Sequence, residues 1–168
     1  AHGVLELEQL SPDYGRSRRR LRVLKLRGVA FREGYHDYTI ETGGLRVFPR
    51  LVAAEHRGIF RREPVASGHA ELDALLGGGL DRGTTTLILG PAGTGKSTLA
   101  LQYAAQMAGR GERSAVFAFD ETRGIILARA AALGLDITPH VKSGVVTMRQ
   151  FDPAEVSPGE FAWHVLTA

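Results

Sequence analysis

The run Gly90-Pro91-Ala92-Gly93-Thr94-Gly95-Lys96-Ser97 matches G-x-x-x-x-G-K-[ST] at every fixed position. From average composition, a chance match in a chain this long is on the order of one in a hundred. The flanks narrow the reading further. Residues 84–89 are rich in Thr, Leu and Ile and read as a strand. Residues 96–108 read as a helix stopped by Gly109. A strand, a glycine-rich turn and a helix in that order build a cradle for phosphate. Gly93 and Gly95 let the backbone curl so that successive N–H groups face inward. The start of the helix adds its partial positive charge at the same place. Lys96 is spaced to reach the β and γ phosphates, and the Ser97 hydroxyl to complete a magnesium shell. Gly90, Pro91, Ala92, Thr94 and Thr98 complete the expected contact set, and the implied cofactors are ATP and Mg2+. The motif speaks for nucleotide binding and leaves open what the nucleotide is used for.

Downstream of the loop, strand and helix patterns alternate. Residues 114–119 read as a strand, 122–133 as a helix stopped by Gly134, 145–149 as a strand, and Ser157 opens another helix. Alternation of this kind predicts parallel pairing through right-handed crossovers, hence an α/β fold with a parallel sheet and flanking helices. Asp120 and Glu121 follow Phe119 at the end of the strand after the loop. Ligands of open parallel sheets bind beyond the carboxyl ends of the strands, which puts these acids on the rim of the phosphate loop. A carboxylate there orients and deprotonates an attacking water. Both acids are also well placed to stabilise the N-terminus of the helix from Thr122, and spacing alone does not choose between the two roles. An Asp after an apolar run, the expected second magnesium acid, is not visible. Asp152 follows only a weak one, so that acid is expected beyond Ala168.

Upstream the rhythm is different. Residues 3–9 and 18–27 read as two strands around turn residues Pro12, Asp13 and Gly15, an antiparallel hairpin whose alternation slips at Val23-Leu24 as at a bulge. Residues 37–42 and 45–48 form a second hairpin split by Gly43-Gly44. Residues 49–64 lack periodicity and read as a linker. Ser67 is placed to cap a short helix ended by Gly77-Gly78-Gly79. The resulting layout is a small antiparallel β segment at 1–50, a linker at 51–66 and the α/β unit at 67–168. Only about three strands of that unit are present against the usual five or six, so the chain reads as a fragment that begins inside one domain and stops inside another.

Composition sets the outer limits. There is no cysteine, no signal-like apolar start and no apolar run approaching the roughly 18 residues that span a membrane, so a cytoplasmic protein is expected. Six scattered histidines lack metal-ligand spacing. Residues 1–62 carry 13 Lys/Arg against 7 Asp/Glu, whereas the remainder is acidic on balance. The densest cluster, Arg16 to Arg22, reads as a solvated strand face. Lys25 and Arg27 sit two apart, between Leu24, Leu26 and Gly28. Such a pair clamps a γ-phosphate as an arginine finger does, and a neighbouring subunit's nucleotide is the accessible target. Aromatic residues are sparse around the basic strand, which disfavours nucleic acid.

Leu24-Lys25-Leu26-Arg27-Gly28, Val47-Phe48-Pro49, Ser67-Gly68 through Leu72-Asp73 to Gly77-Gly78-Gly79, the phosphate loop, and Phe117-Ala118-Phe119-Asp120-Glu121-Thr122-Arg123 occur in the order found in KaiC-like ATPases. The chain therefore resembles these circadian-clock relatives of the RecA superfamily over nearly its whole length. The resemblance implies that residues 1–50 end a first RecA-like domain and that residues 67–168 begin a second. It implies hexameric rings with ATP between subunits, slow hydrolysis, serine/threonine autokinase activity in clock members, and signalling partners. By the same resemblance Lys25 and Arg27 touch the adjacent subunit's ATP, and Asp120 and Glu121 stand where the family has paired catalytic glutamates. Here the first is one methylene shorter. The stretch bearing the family's phosphorylated residues does not occur in this sequence. A RecA-type DNA recombination ATPase and a scaffold that uses ATP only to assemble are the alternatives from other classes.

Overall fold

The computed structural model describes residues 1–56 and 63–168. Most of the expected linker is described, and the part at 57–62 lies outside these residues. The chain divides into two compact units, Ala1–Arg57 with Phe151–Ala168, and Gly58–Gln150.

The first unit is built on four antiparallel strands in sequential order, β1 (Gly3–Leu10), β2 (Arg18–Leu26), β3 (His36–Glu41) and β4 (Gly44–Phe48). The register of β1 on β2 shifts between Val4 and Leu5, so Val4 faces Lys25 while Leu5 faces Val23, and Leu24 is the extra residue. The slip in the alternation is therefore a bulge. Glu41 pairs with Gly44, which makes Thr42-Gly43 the turn in place of the expected Gly43-Gly44. On one face of the first hairpin, charge is matched across the strands. Arg20 meets Glu8 at 2.7 Å and Arg22 pairs with Glu6. The Tyr35 hydroxyl donates to Glu8 at 2.7 Å, under the Arg20 guanidinium 3.8 Å from the ring centroid. These bonds, Tyr35 first and Arg20 second, hold the Glu8 carboxyl below the usual carboxylate range and raise the Tyr35 phenol. Within the basic strand, then, Arg20 and Arg22 have partners.

Helix α5 (Pro158–Leu166) packs on β3 and β4. Ser157 caps it by accepting from the Glu160 N–H at 3.2 Å, Pro158 takes the first turn, and Gly159 N–H donates to Asp37 at 2.7 Å. Trp163 meets Phe48 edge-on with centroids 6.1 Å apart, and Phe48 is almost wholly buried.

In the second unit, β5 (Pro64–Val65) and β6 (Leu80–Asp81) pair around a short helix α1 (Ala70–Leu75). Ser67 does not cap α1, whose N-cap is His69. Instead Ser67 is fully buried, its N–H donates to Asp73 Oδ1 at 2.7 Å, and its carbonyl accepts from the Gln102 amide at 2.9 Å. That carbonyl bond ties the segment to helix α2 (Lys96–Gly109). Strands β7 (Ser114–Ala118) and β8 (Val146–Gln150) pair in parallel through the crossover helix α3 (Arg123–Ala132) and a single turn α4 (Thr138–Lys142), which the periodicity does not show. Leu101, Ile126, Ala130, Ile137 and Met148 form the core where α2, α3 and β8 meet. The described residues form a mixed α/β structure with two antiparallel sheets, the larger of four strands and the smaller the β5–β6 pair, and one parallel sheet, β7–β8. Residues 84–89, expected as the strand feeding the loop, join no ladder, and Leu87 and Leu89 stand 77% and 80% exposed. A strand is defined by its neighbours, and no strand among the described residues lies beside this segment. No helix among the described residues is long and apolar enough to cross a membrane.

Candidate functional site

Residues 90–97 form an open turn that delivers the chain into α2. Gly93 and Gly95 have φ of 81° and 88°, a left-handed conformation that glycine alone adopts without strain. Gly95 is the N-cap of α2. The steric requirement falls on Gly90, where a Cβ would meet Thr94 Oγ1 at 2.7 Å, whereas one at Gly93 or Gly95 would meet nothing within 4 Å. The Lys96 ammonium arches back over the turn and donates to the Pro91 carbonyl at 2.6 Å, which also accepts from the Thr94 hydroxyl at 2.9 Å. A cavity of about 400 Å³ sits at the turn, lined by Gly90, Pro91, Thr94, Gly95 and Lys96 among others. Left-handed glycines, a helix start and a lysine held, among the described residues, only by a carbonyl make a site that fits a chain of phosphates.

Ser97, one residue into α2, opens on a second cavity of about 520 Å³, whose lining includes Asp120, Glu121, Arg129 and Tyr103. This cavity brings the serine of the loop and both candidate acids together. The two acids differ in surroundings. Asp120 is exposed and has no hydrogen bond or ion pair among the described residues. Glu121 accepts a hydrogen bond from Arg129 Nη1 at 2.9 Å, and its second oxygen lies 2.8 Å from Nη2. Thr122 caps α3 by accepting from the Ile125 N–H at 3.4 Å, so the start of that helix is satisfied by a hydroxyl. Tyr103 and Ser114 are further polar groups in the cavity wall. Burial raises the Tyr103 phenol, and neither hydroxyl finds a hydrogen-bond partner among the described residues.

Sequence reasoning missed Arg129 and Tyr103. Arg129 lies eight residues from Glu121, outside the i+3 and i+4 spacings that flag a helical pair. Tyr103 reads as one more apolar position of α2. Lys25 and Arg27 belong to the first unit, at the exposed end of β2 beyond the bulge. Neither side chain has a hydrogen bond or ion pair among the described residues, although the Arg27 N–H donates to the His2 carbonyl at 3.1 Å. No cluster of three or more His, Asp or Glu able to hold a metal occurs among the described residues. That is compatible with magnesium, which is commonly held by one or two protein groups together with substrate phosphates.

A family model described as "ATPase: KaiC" matches residues 65–158. The circadian clock oscillator protein KaiC of Picosynechococcus sp. is 32% identical over 79% of this chain and 26% of its own length. The protein of the same name from Synechococcus elongatus is 35% identical over 72% of this chain and 23% of its own. The circadian clock protein KaiC2 of Synechocystis sp. is 32% identical over 89% of this chain and 26% of its own. The chain thus spans about a quarter of the length of these relatives.

Proposed function

The chain belongs to the KaiC ATPase family, and on that premise we propose that it binds ATP with magnesium at residues 90–97 and takes part in its hydrolysis. The family carries a P-loop, RecA-like fold, and the phosphate turn and the parallel β7–β8 pair are parts of one. The observation that carries the reading is the single cavity shared by Ser97 and the two acids after β7.

Each residue then has a task. Inward-facing N–H groups of the turn bind the phosphate oxygens. Lys96 exchanges the Pro91 carbonyl for a β- or γ-phosphate oxygen, where its charge is worth more. The Ser97 hydroxyl would hold the magnesium ion, which would neutralise charge on the phosphates. Asp120, free of other partners, orients the attacking water and accepts its proton as the oxygen–phosphorus bond forms. The bridging bond breaks and its electron pair leaves with ADP.

The same proposal extends to the properties that go with the family. These are assembly into a ring, as a hexamer, with Lys25 and Arg27 reaching the nucleotide of an adjacent copy; serine/threonine self-phosphorylation; and a role in clock or signalling regulation. In this reading residues 1–50 close one RecA-like domain and 67–168 open the next. The exposed, partner-free lysine and arginine beyond the bulge support the trans contact.

The test is steady-state ATP hydrolysis by the full-length protein. Asp120→Asn, which cannot accept the proton, lowers kcat by about 10²–10⁴-fold, the usual contribution of a positioned general base. A variant that turns over as fast as the parent would end the assignment of Asp120.

A further inference from the structure

The two adjacent acids after β7 are not equivalent, and the reason lies on another element. Arg129, from the second turn of α3, donates Nη1–H to Glu121 Oε1 at 2.9 Å, and its Nη2 lies 2.8 Å from Oε2 as an ion-pair contact without hydrogen-bond alignment. Glu121 Oε2 and Arg129 Nη2 are shut off from solvent, as is Arg129 Nε. Arg129 has no other hydrogen-bond or ion-pair partner among the described residues, so its guanidinium is committed to this one carboxylate. A guanidinium–carboxylate pair with one hydrogen bond and a second close contact fixes geometry as well as charge. A carboxylate held so has its oxygens turned to the guanidinium, with Oε2 shut off from solvent, and is not free to take up a water in the cavity. Asp120, its neighbour in the chain, opens on the same cavity with no such tether.

We infer that Arg129 is a positioning residue of the ATPase site: by holding Glu121 it withdraws that acid from proton transfer and leaves the task to Asp120. The inference rests on Asp120 being the base, as proposed above. It gives the pair of acids a division of labour, one structural and one chemical, decided by a single side chain on α3. It also offsets the shortness of Asp120, because the longer acid beside it is prevented from competing for the water.

A rescue experiment separates this role from a merely structural one. ATP hydrolysis is measured in the full-length protein for the parent, Asp120→Asn, Arg129→Gln and the double variant, with ATP binding measured alongside. Asp120→Asn alone is expected to lose at least about a hundredfold in kcat, within the range for a general base. Releasing Glu121 by adding Arg129→Gln should return about tenfold or more of that loss, with KM for ATP little changed. A contact that only supports the fold would make the double variant worse. A double variant no faster than Asp120→Asn, yet binding ATP equally well, overturns the inference. If Arg129→Gln prevents folding, Arg129→Lys in the Asp120→Asn background keeps the charge without the planar guanidinium that faces both carboxylate oxygens. It should give a smaller recovery in the same direction, and its absence overturns the inference equally. A parent-like Asp120→Asn would instead remove the base assignment, and the role of Arg129 with it.

Discussion

Asp73 illustrates how far a single residue can be read. In sequence it is one acid in a short helix near glycines. In the structure its carboxylate accepts the N–H of the buried Ser67 at 2.7 Å, chiefly for which reason its pKa is held below the ordinary range. A depressed folded-state pKa contributes stability that is fully present above the unfolded value of about 4 and lost as the pH falls through the folded value. Thermal melting should therefore show Asp73→Ala less stable than the parent at neutral pH, with the gap closing as the pH falls below about 4. A gap that widens on acidification would contradict this account of Asp73. The phosphate-loop residues were legible because their chemistry is local and their spacing rigid. Arg129 was not, because its partner sits eight residues away across a strand exit and a helix start, where no periodicity links them.

Elements were legible where pairing is local. The bulged hairpin follows from the slip at Val23-Leu24, and the parallel β7–β8 pair from the strand–helix rhythm between them. The short turn α4 was missed because five residues carry too little periodicity to register. Residues 84–89 have the composition of a strand, but composition does not supply a neighbour to pair with. The glycine run after α1 shows the same limit. Its three residues look alike in sequence, yet a Cβ on Gly79 (φ 133°) would lie 2.4 Å from the Val65 carbonyl oxygen, and one on Gly77 (φ 66°) would meet nothing within 4 Å. Gly79→Ala must therefore distort the β5–β6 pair, whereas Gly77→Ala bears only the left-handed backbone cost of about 1–2 kcal/mol. Denaturant melting of the full-length protein should place Gly79→Ala below Gly77→Ala by about 1–3 kcal/mol, the usual range for enforced backbone strain. Equal midpoints would mean that β5 and β6 do not approach as described.

At the scale of the whole molecule, the division of charge along the sequence is levelled by the fold, because Phe151–Ala168 brings acids and no Lys or Arg to the unit of the basic strand. The antiparallel unit carries Lys25 and Arg27, whose side chains have no partner among the described residues, while the other unit holds the phosphate turn, the acids and the α2–α3–β8 core. The sequence placed the helix after Ser157 in the α/β unit. In the structure it packs on β3 and β4, through Asp37, Phe48 and Trp163, contacts between residues more than a hundred positions apart that no local pattern encodes. The central claim is that residues 90–97 are the ATP site of a KaiC-family ATPase, and Lys96 is its most exposed dependency. Among the described residues its ammonium bonds only the Pro91 carbonyl, and it lies outside the core cluster. The most direct measurement is magnesium-dependent ATP hydrolysis by the full-length protein, with Lys96→Ala beside the parent. The account predicts that turnover falls by about a hundredfold or more, in line with the loss of a preorganised charge on the transferred phosphate, while the melting temperature without nucleotide stays within about 2 °C, as expected of a surface change. Hydrolysis unchanged in Lys96→Ala would contradict it.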